Sequence, residues 1–327
     1  MLRVAVINDY MGIFAEIADW SPLEGLAKVD FYTDHIADEK AAVARLEVYD
    51  VIVAERERTP FTRSLFERLP NLKLLVTTGG VNWLIDLEAA KECGVTVSYT
   101  GGAPGAAPEL TWGLLLALSR RIAWDHAHVQ AGGWQTAPGV SIAGKTLGLI
   151  GLGHIGRQMV KYAKAFDMKA MAWSPNLTTE RAEVAGTVRA DLEEVMRSSD
   201  FVSVHMVLAE STRGLIGAAE LALMKPTAYL INTSRGPLVQ EDALLTALKA
   251  KKIAGAALDV FDTEPLPKEH EFRKIDNVVI TPHTGYITDE QYKVFFGEAV
   301  ENVLAFARGA PIRVMTDNNM IAALKAK

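Results

Sequence analysis

The chain has 327 residues, of which 49% are hydrophobic and 23% are charged, and its formal net charge is −6. This length exceeds what a single hydrophobic core usually supports, so we expect two domains in a soluble globular protein. The net charge is negative and the sequence has no long run of like charges, so it lacks the basic surface that a nucleic-acid-binding protein would need.

The first hundred residues alternate predicted strands with predicted helices. Segments 38–49 and 61–70 carry apolar residues at three-to-four spacing, which is typical of amphipathic helices. Short β-branched runs predict strands at 3–8, 29–33, 50–54, 72–78 and 94–100. Apolar strands separated by amphipathic helices predict a parallel sheet that is covered on both faces.

Cys93, the single cysteine, lies between a predicted helix and the fifth strand. With no charged activator nearby in the sequence, we expect it to be a buried structural thiol. One cysteine excludes an internal disulfide and a thiolate metal cluster, and it suits a reducing compartment. The first apolar run is too short for a signal peptide, and no apolar stretch could cross a bilayer. We therefore expect a cytoplasmic protein without a membrane partner or a metal.

A Gly- and Pro-rich break at 100–108 separates this series from a second one. An apolar helix is predicted at 109–122, and a last helix at 289–309. Between them, strands are predicted at 145–150, 169–174, 201–207, 228–234, 253–260 and 277–282. The second series therefore predicts another doubly wound α/β unit.

The glycine-rich turn Gly151-Leu152-Gly153-His154-Ile155-Gly156 directly follows a predicted strand and opens a helix. In this context the first glycine makes a tight turn, the second admits a pyrophosphate, and the third allows close helix–strand packing. The helix N-terminus adds free N–H groups. The turn predicts a dinucleotide site that includes His154 and Ile155.

We therefore predict an α/β fold with two Rossmann-like, doubly wound parallel-sheet domains. The dinucleotide-binding domain, residues 102–286, is predicted to be inserted into a discontinuous substrate-binding domain, residues 1–101 and 287–327.

The strand that follows the glycine turn is predicted to end at Ser174, where an acidic residue would bind the ribose of NAD. Ser174 and Asn176 are neutral, so neither repels a 2′-phosphate. We expect Arg181 to begin a solvated helix face, although it could fold back toward such a phosphate. NAD and NADP both remain candidate cofactors.

Arg235, Glu264 and His283 each follow a predicted strand, and ligands bind at the carboxyl ends of strands in open α/β sheets. The planar fork of Arg235 suits a carboxylate. His283 suits the acid that protonates a forming alkoxide, and Glu264 would hold one ring tautomer and stabilise the protonated imidazole. These residues predict hydride transfer between a nicotinamide and a small 2-keto or 2-hydroxy acid.

The motifs at 151–156, 224–239, 255–265 and 281–286 closely resemble those of the D-isomer-specific 2-hydroxyacid dehydrogenases, in particular glyoxylate and hydroxypyruvate reductases. The resemblance covers nearly the whole chain. It implies catalytic roles for Arg235, Glu264 and His283, an active site in the cleft between two Rossmann-like domains, and a homodimer. The cofactor-binding residues that it further implies are His205, Thr212, Thr233, Asp259 and Gly285.

Two segments depart from the family pattern. Ser174 replaces a common aspartate, and Trp83 and Leu84 replace polar residues in the substrate loop, where Gly79 and Gly80 could present N–H groups to a carboxylate. The loop argues against the phosphorylated hydroxy acid of serine synthesis as the substrate. Two alternatives stay open: a non-catalytic NAD(H)-sensing protein of the same fold, and a dehydrogenase of a one-carbon acid such as formate, whose site Trp83 could narrow.

Overall fold

The computed structural model describes residues 1–80, 82–103 and 105–316. Its internal contacts divide the chain into two compact units. Unit 1 comprises Met1–Pro104 and Ile287–Lys327, and unit 2 comprises Gly105–Tyr286.

Unit 1 contains a parallel sheet with the strand order β2-β1-β3-β4-β5. Its strands are β1 (Leu2–Ile7), β2 (Ala27–Phe31), β3 (Val51–Ala54), β4 (Leu74–Thr77) and β5 (Thr96–Tyr99). Every residue of β3 and β4 is buried, as expected for central strands that are covered on both faces. Strand β2 lies on one side of β1, and β3 to β5 follow on the other side. The boundary between β1 and β3 is therefore the topological switch point of a flavodoxin-like strand order.

Polar side chains determine where several helices of unit 1 begin. Asp38, Thr62 and Asp86 each accept a hydrogen bond from a first-turn N–H group that has no partner within its helix. The helices of the first segment are α1 (Phe14–Ile17), α2 (Glu39–Leu46), α3 (Arg63–Glu67) and α4 (Leu87–Glu92). Cys93 follows α4 and is exposed, so the predicted buried thiol is wrong. It lies at the solvent-facing end of the helix rather than on its buried side.

Unit 2 contains a parallel sheet with the order β12-β11-β10-β9-β6-β7-β8. Its strands are β6 (Thr146–Ile150), β7 (Lys169–Trp173), β8 (Val188–Arg189), β9 (Phe201–Val204), β10 (Tyr229–Asn232), β11 (Gly255–Leu258) and β12 (Val278–Ile280). After β8 the chain crosses to the other side of β6, so the order reverses between β6 and β9. The carboxyl ends at such a switch point are where doubly wound folds bind ligands.

Helices cover both faces of the unit 2 sheet. Neighbouring residues of one strand point to opposite faces, so Leu230 packs in one hydrophobic cluster and Ile231 in the other. The helices are α5 (Ala106–Ser119), α6 (Ile122–Gln130), α7 (His154–Ala165), α8 (Thr179–Val184), α9 (Leu192–Ser198), α10 (Ala218–Leu223) and α11 (Glu241–Lys249). Helix α5 starts at Ala106, within the segment predicted to be a break.

The last helix, α12 (Asp289–Ala307), belongs to unit 1 and begins at the N-cap Thr288. Its Phe296 packs on Phe14, with ring centroids 3.9 Å apart. Among the described residues, no helix combines the length and apolar character needed to cross a membrane. The parallel sheets with their covering helices confirm the predicted α/β, Rossmann-like fold class.

Candidate active site

The glycine turn lies directly after β6, at the switch point of the unit 2 sheet. Gly151 has φ +105°, and the His205 N–H donates to the Ile150 carbonyl at 2.7 Å. A Cβ atom at Gly151 would lie 2.5 Å from the His205 carbonyl oxygen. Only glycine therefore fits at this position, which holds the turn against the end of β9.

The third glycine of the turn, Gly156, has no room for a side chain because a Cβ atom would overlap the Gly151 carbonyl oxygen. Helix α7 begins at His154, and no side chain caps it at Gly153. The first-turn N–H groups and the positive end of the helix dipole therefore suit an anionic pyrophosphate. His154 is exposed and Ile155 is half-buried at this helix end. This geometry fits a dinucleotide.

Ser174 follows β7 and faces the glycine turn. Its Oγ accepts the Leu152 N–H at 3.0 Å, and the Trp173 carbonyl accepts the Gly151 N–H at 2.7 Å. The side chain at the end of this strand therefore lies next to the backbone that would carry the pyrophosphate. A ribose-binding residue occupies this position in dinucleotide-binding folds.

His205 and Thr212 shape the loop after β9. The His205 Nε2 lies 2.9 Å from Ser203 Oγ, and its Nδ1 is buried with no hydrogen-bond partner in the described part of the chain. Burial lowers the pKa of His205 to about 3, so the ring is neutral near neutral pH. The Thr212 hydroxyl donates to the Val207 carbonyl at 2.7 Å and accepts the Ala209 N–H at 2.8 Å, which fixes the loop.

Arg235 lies in the loop that follows β10. Hydrogen bonds to main-chain carbonyl groups of this loop hold the residue in place. The Asn232 side-chain amide donates to the Arg235 carbonyl at 2.9 Å, and Arg235 Nη1 donates to the Ser234 carbonyl at 2.7 Å. Nearby, the Thr233 hydroxyl lies 2.7 Å from that of Thr111 on α5. Arg235 is half-buried, and these hydrogen bonds hold it in its loop.

The Arg235 loop packs directly against the loop that carries Glu264. A Cβ atom at Gly236 would overlap the Phe261 backbone, so the two loops touch through main-chain atoms. The Phe261 N–H then donates to Glu264 Oε1 at 2.9 Å. The loops that follow β10 and β11, which carry Arg235 and Glu264, are therefore adjacent.

His283 and Glu264 form a close pair. The His283 Nδ1 lies 2.6 Å from Glu264 Oε2, and 16% and 23% of the two side chains are exposed. His283 has φ +53°, an uncommon backbone conformation for a residue with a side chain. Such strain persists only where surrounding contacts enforce it.

Asp259 provides those contacts. It is 1% exposed and accepts hydrogen bonds from Thr281 Oγ1 at 2.5 Å and from the Thr284 and Gly285 N–H groups at 2.8 Å. Burial raises the pKa of the Asp259 carboxyl, against the lowering effect of these hydrogen bonds. The bonds tie together the turn that carries His283.

The predicted substrate loop belongs to unit 1. Gly79 has φ +85°, and its N–H donates to Thr100 Oγ1 at 2.9 Å, so this N–H already has a partner within the fold. The role of Gly79 in substrate binding stays a prediction. Gly80 has open space where a Cβ atom would lie, and its role remains a prediction. The Arg56 guanidinium lies against Gly79, a contact that no pattern in the sequence indicates.

Asn82 organises the rest of this loop. It is 1% exposed, and its side-chain amide donates to the Arg56 carbonyl at 2.9 Å while its carbonyl oxygen accepts the Leu84 N–H at 3.0 Å. The next two residues project outward, with Trp83 50% and Leu84 42% exposed. Within residues 1–80, 82–103 and 105–316, no cluster of three or more His, Cys, Asp and Glu side chains could hold a metal ion.

A comparison with known families agrees with this geometry. The family description "D-isomer specific 2-hydroxyacid dehydrogenase, NAD binding domain" matches residues 112–285, which is more than half of the chain. The chain belongs to the D-isomer specific 2-hydroxyacid dehydrogenase family. The predicted family, the enzyme class and the use of NAD or NADP are thereby confirmed.

Individual relatives show how far the similarity extends. The chain is 40% identical to a glyoxylate reductase of Thermococcus litoralis over 257 residues, which cover 76% of this chain and 77% of the relative. It is 39% identical to a D-3-phosphoglycerate dehydrogenase of Methanocaldococcus jannaschii over 88% of this chain, but it spans only 55% of that relative. A crystal structure of phosphoglycerate oxidoreductase from Vibrio cholerae matches with a TM-score of 0.90 and 35% identity, covering 95% of this chain and all of that one.

Proposed function

We propose that this dehydrogenase reduces a small 2-keto acid to the D-2-hydroxy acid with NADH or NADPH. The observation that carries the proposal is the 2.6 Å pair of His283 and Glu264, together with the packing of the Glu264 loop against the loop that carries Arg235. An imidazole held by a carboxylate at the carboxyl ends of parallel strands is a suitable proton donor.

Each charged group has one role in this reaction. Arg235 binds the substrate carboxylate through its planar fork. When bound, the reduced nicotinamide supplies the hydride that adds to C2 of the keto acid. His283 donates its Nε2 proton to the carbonyl oxygen, so the oxygen becomes a hydroxyl group and the imidazole becomes neutral. Glu264 holds Nδ1–H and stabilises the imidazolium before the transfer.

The remaining predicted residues support this chemistry without exchanging protons. Asp259 and the Gly285 N–H fix the backbone of the His283 turn. Thr233 and Thr212 hold the loops after β10 and β9, and Ser174 lies beside the glycine turn. We assign these residues to the cofactor side of the site.

A homodimer is part of the proposal because unit 2 exposes a group of apolar side chains. Helix α6 buries none of its described residues, and Ile122 and Val129 on it are 54% and 49% exposed. Trp134, just beyond the helix, is 73% exposed. Ile122 and Val129 lie seven residues apart and therefore on the same face of the helix, and exposed apolar faces are typical of protein–protein contact surfaces. The single cysteine in 327 residues supports a cytoplasmic location as a further part of the proposal.

The test is oxidation of reduced nicotinamide by purified protein. Glyoxylate, hydroxypyruvate, pyruvate and phenylpyruvate are each supplied with NADH and with NADPH, and His283→Ala serves as the inactive control. We expect turnover with at least one acid and its loss in the control. Cofactor binding without turnover on any acid would favour the NAD(H)-sensing alternative. Formate-dependent reduction of the oxidised cofactor would favour the one-carbon acid.

A further inference from the structure

Two arginines bind the backbone of the loop after β7. Neither arginine has a role in the proposed reaction. Arg181 of α8 donates from Nη1 to the Asn176 carbonyl at 3.0 Å. Arg189 of β8 donates from Nε to the Leu177 carbonyl at 3.0 Å. Arg181 is exposed, as expected from the sequence, but its guanidinium turns back to the loop instead of extending into solvent.

The loop to which Arg181 binds is a tight turn at the glycine motif. The Leu177 N–H donates to the Ser174 carbonyl at 3.1 Å, so residues 174–177 form a turn whose ends lie within about 7 Å of each other. Pro175 occupies the second position, which suits its fixed φ angle. Since Ser174 Oγ also binds the Leu152 N–H, the turn places Arg181 close to the position that receives the adenosine ribose.

The two guanidinium groups differ in their charge balance. Arg189 pairs with Asp191 at 3.5 Å. Arg181 forms no ion pair in the described part of the chain, and its single backbone bond uses one of five N–H donors. The carboxylate of the neighbouring Glu180 instead accepts hydrogen bonds from its own backbone and from Thr178, which lower the pKa of Glu180.

We infer that Arg181 binds the 2′-phosphate of NADP(H), and that this enzyme therefore prefers NADPH. The inference rests on the proposed function, because it concerns the cofactor of that same reaction. Three observations support it. Ser174 at the end of the strand is neutral, and Pro175 and Asn176 in the turn are exposed. The Arg181 guanidinium is bound to that turn through one N–H donor, which leaves its other donors for a ligand. A guanidinium binds phosphate oxygens through parallel, charge-assisted hydrogen bonds.

The experiment measures the binding of nucleotide fragments by calorimetry, so it does not depend on turnover. Adenosine 2′,5′-bisphosphate and adenosine 5′-monophosphate are titrated into the parent, Arg181→Ala and Arg197→Ala. Arg197 lies on α9 and is exposed, so its substitution removes the same charge elsewhere in unit 2. We expect Arg181→Ala to weaken bisphosphate binding by about 10- to 100-fold, the usual effect of losing charged hydrogen bonds, with monophosphate binding unchanged. Arg197→Ala should alter neither.

The outcomes separate this inference from the proposed function. Equal effects of Arg181→Ala on both fragments, or no effect on either, would overturn the assignment of Arg181 while the dinucleotide site stands. A loss of bisphosphate binding in Arg197→Ala of the same size would show a general charge effect and would also overturn it. A parent that binds neither fragment would overturn both the inference and the proposed function.

Discussion

Glu264 Oε2 lies 2.6 Å from His283 Nδ1, although the two residues follow different strands, β11 and β12. The orientation of the carboxylate is determined by the main chain, because its other oxygen accepts the Phe261 N–H at 2.9 Å. The backbone of the loop therefore orients the carboxylate toward the His283 ring.

Removing the imidazole should abolish most of the reaction. We expect His283→Ala to lower kcat by about 10²- to 10⁴-fold, the usual contribution of a positioned general acid, with cofactor binding nearly unchanged. Steady-state turnover and a cofactor titration measure the two effects. His270→Ala is the matched control, because His270 Nε2 also pairs with a carboxylate, Glu241, at 3.0 Å. A parental rate for His283→Ala would remove His283 from the mechanism.

Glu264→Gln should lower kcat less than His283→Ala does. A glutamine side chain can still accept the Phe261 N–H and the hydrogen bond from His283 Nδ1, but it lacks the charge that strengthens the bond between the carboxylate and the ring. Steady-state turnover of the parent and of both variants measures the difference. A parental rate for Glu264→Gln would mean that the charge of Glu264 does not contribute to the proton transfer.

The sequence predicts most of the strands because an apolar run is a local signal. Apolar runs located the long strands, but β8 has two exposed residues and no such signal. The glycine turn can also be predicted, because its residues are close together in the sequence. Contacts between distant segments leave no such local pattern. The sequence therefore predicts neither the contact of Arg56 with Gly79 nor the hydrogen bond from Gly79 to Thr100.

Arg235→Lys should lower kcat/KM for the keto acid strongly. The lysine ammonium is a point charge and cannot form the two parallel hydrogen bonds of a guanidinium with a carboxylate. A loss of about 1.5–3 kcal/mol of binding corresponds to about a 10- to 100-fold decrease. The comparison is kcat/KM for the best acid of the panel in both proteins. Normal kinetics in the lysine variant would place the carboxylate anchor elsewhere.

His205 should make the fold sensitive to acid. Burial lowers its pKa to about 3, so between about pH 6.5 and 3 the unfolded chain binds a proton that the folded chain does not. Stability should therefore fall as pH decreases through this window, by up to about 1.4 kcal/mol per pH unit. Urea unfolding at several pH values should show a weaker dependence in His205→Gln. Exposed His126 on α6 is the control, and an equal change in His126→Gln would contradict the role of His205.

Ser174→Asp should shift the cofactor preference toward NADH. Ser174 Oγ accepts the Leu152 N–H at 3.0 Å, and an aspartate can accept the same bond, so the glycine turn should persist. Its charge would repel the 2′-phosphate of NADPH and accept the ribose hydroxyls of NADH. The measurement is the ratio of kcat/KM for NADH to that for NADPH. Ser174→Asn has the same shape as the aspartate without its charge and should leave the ratio near the parental value. An equal shift in both variants would indicate a steric cause, and no shift in Ser174→Asp would show that this strand end does not face the ribose.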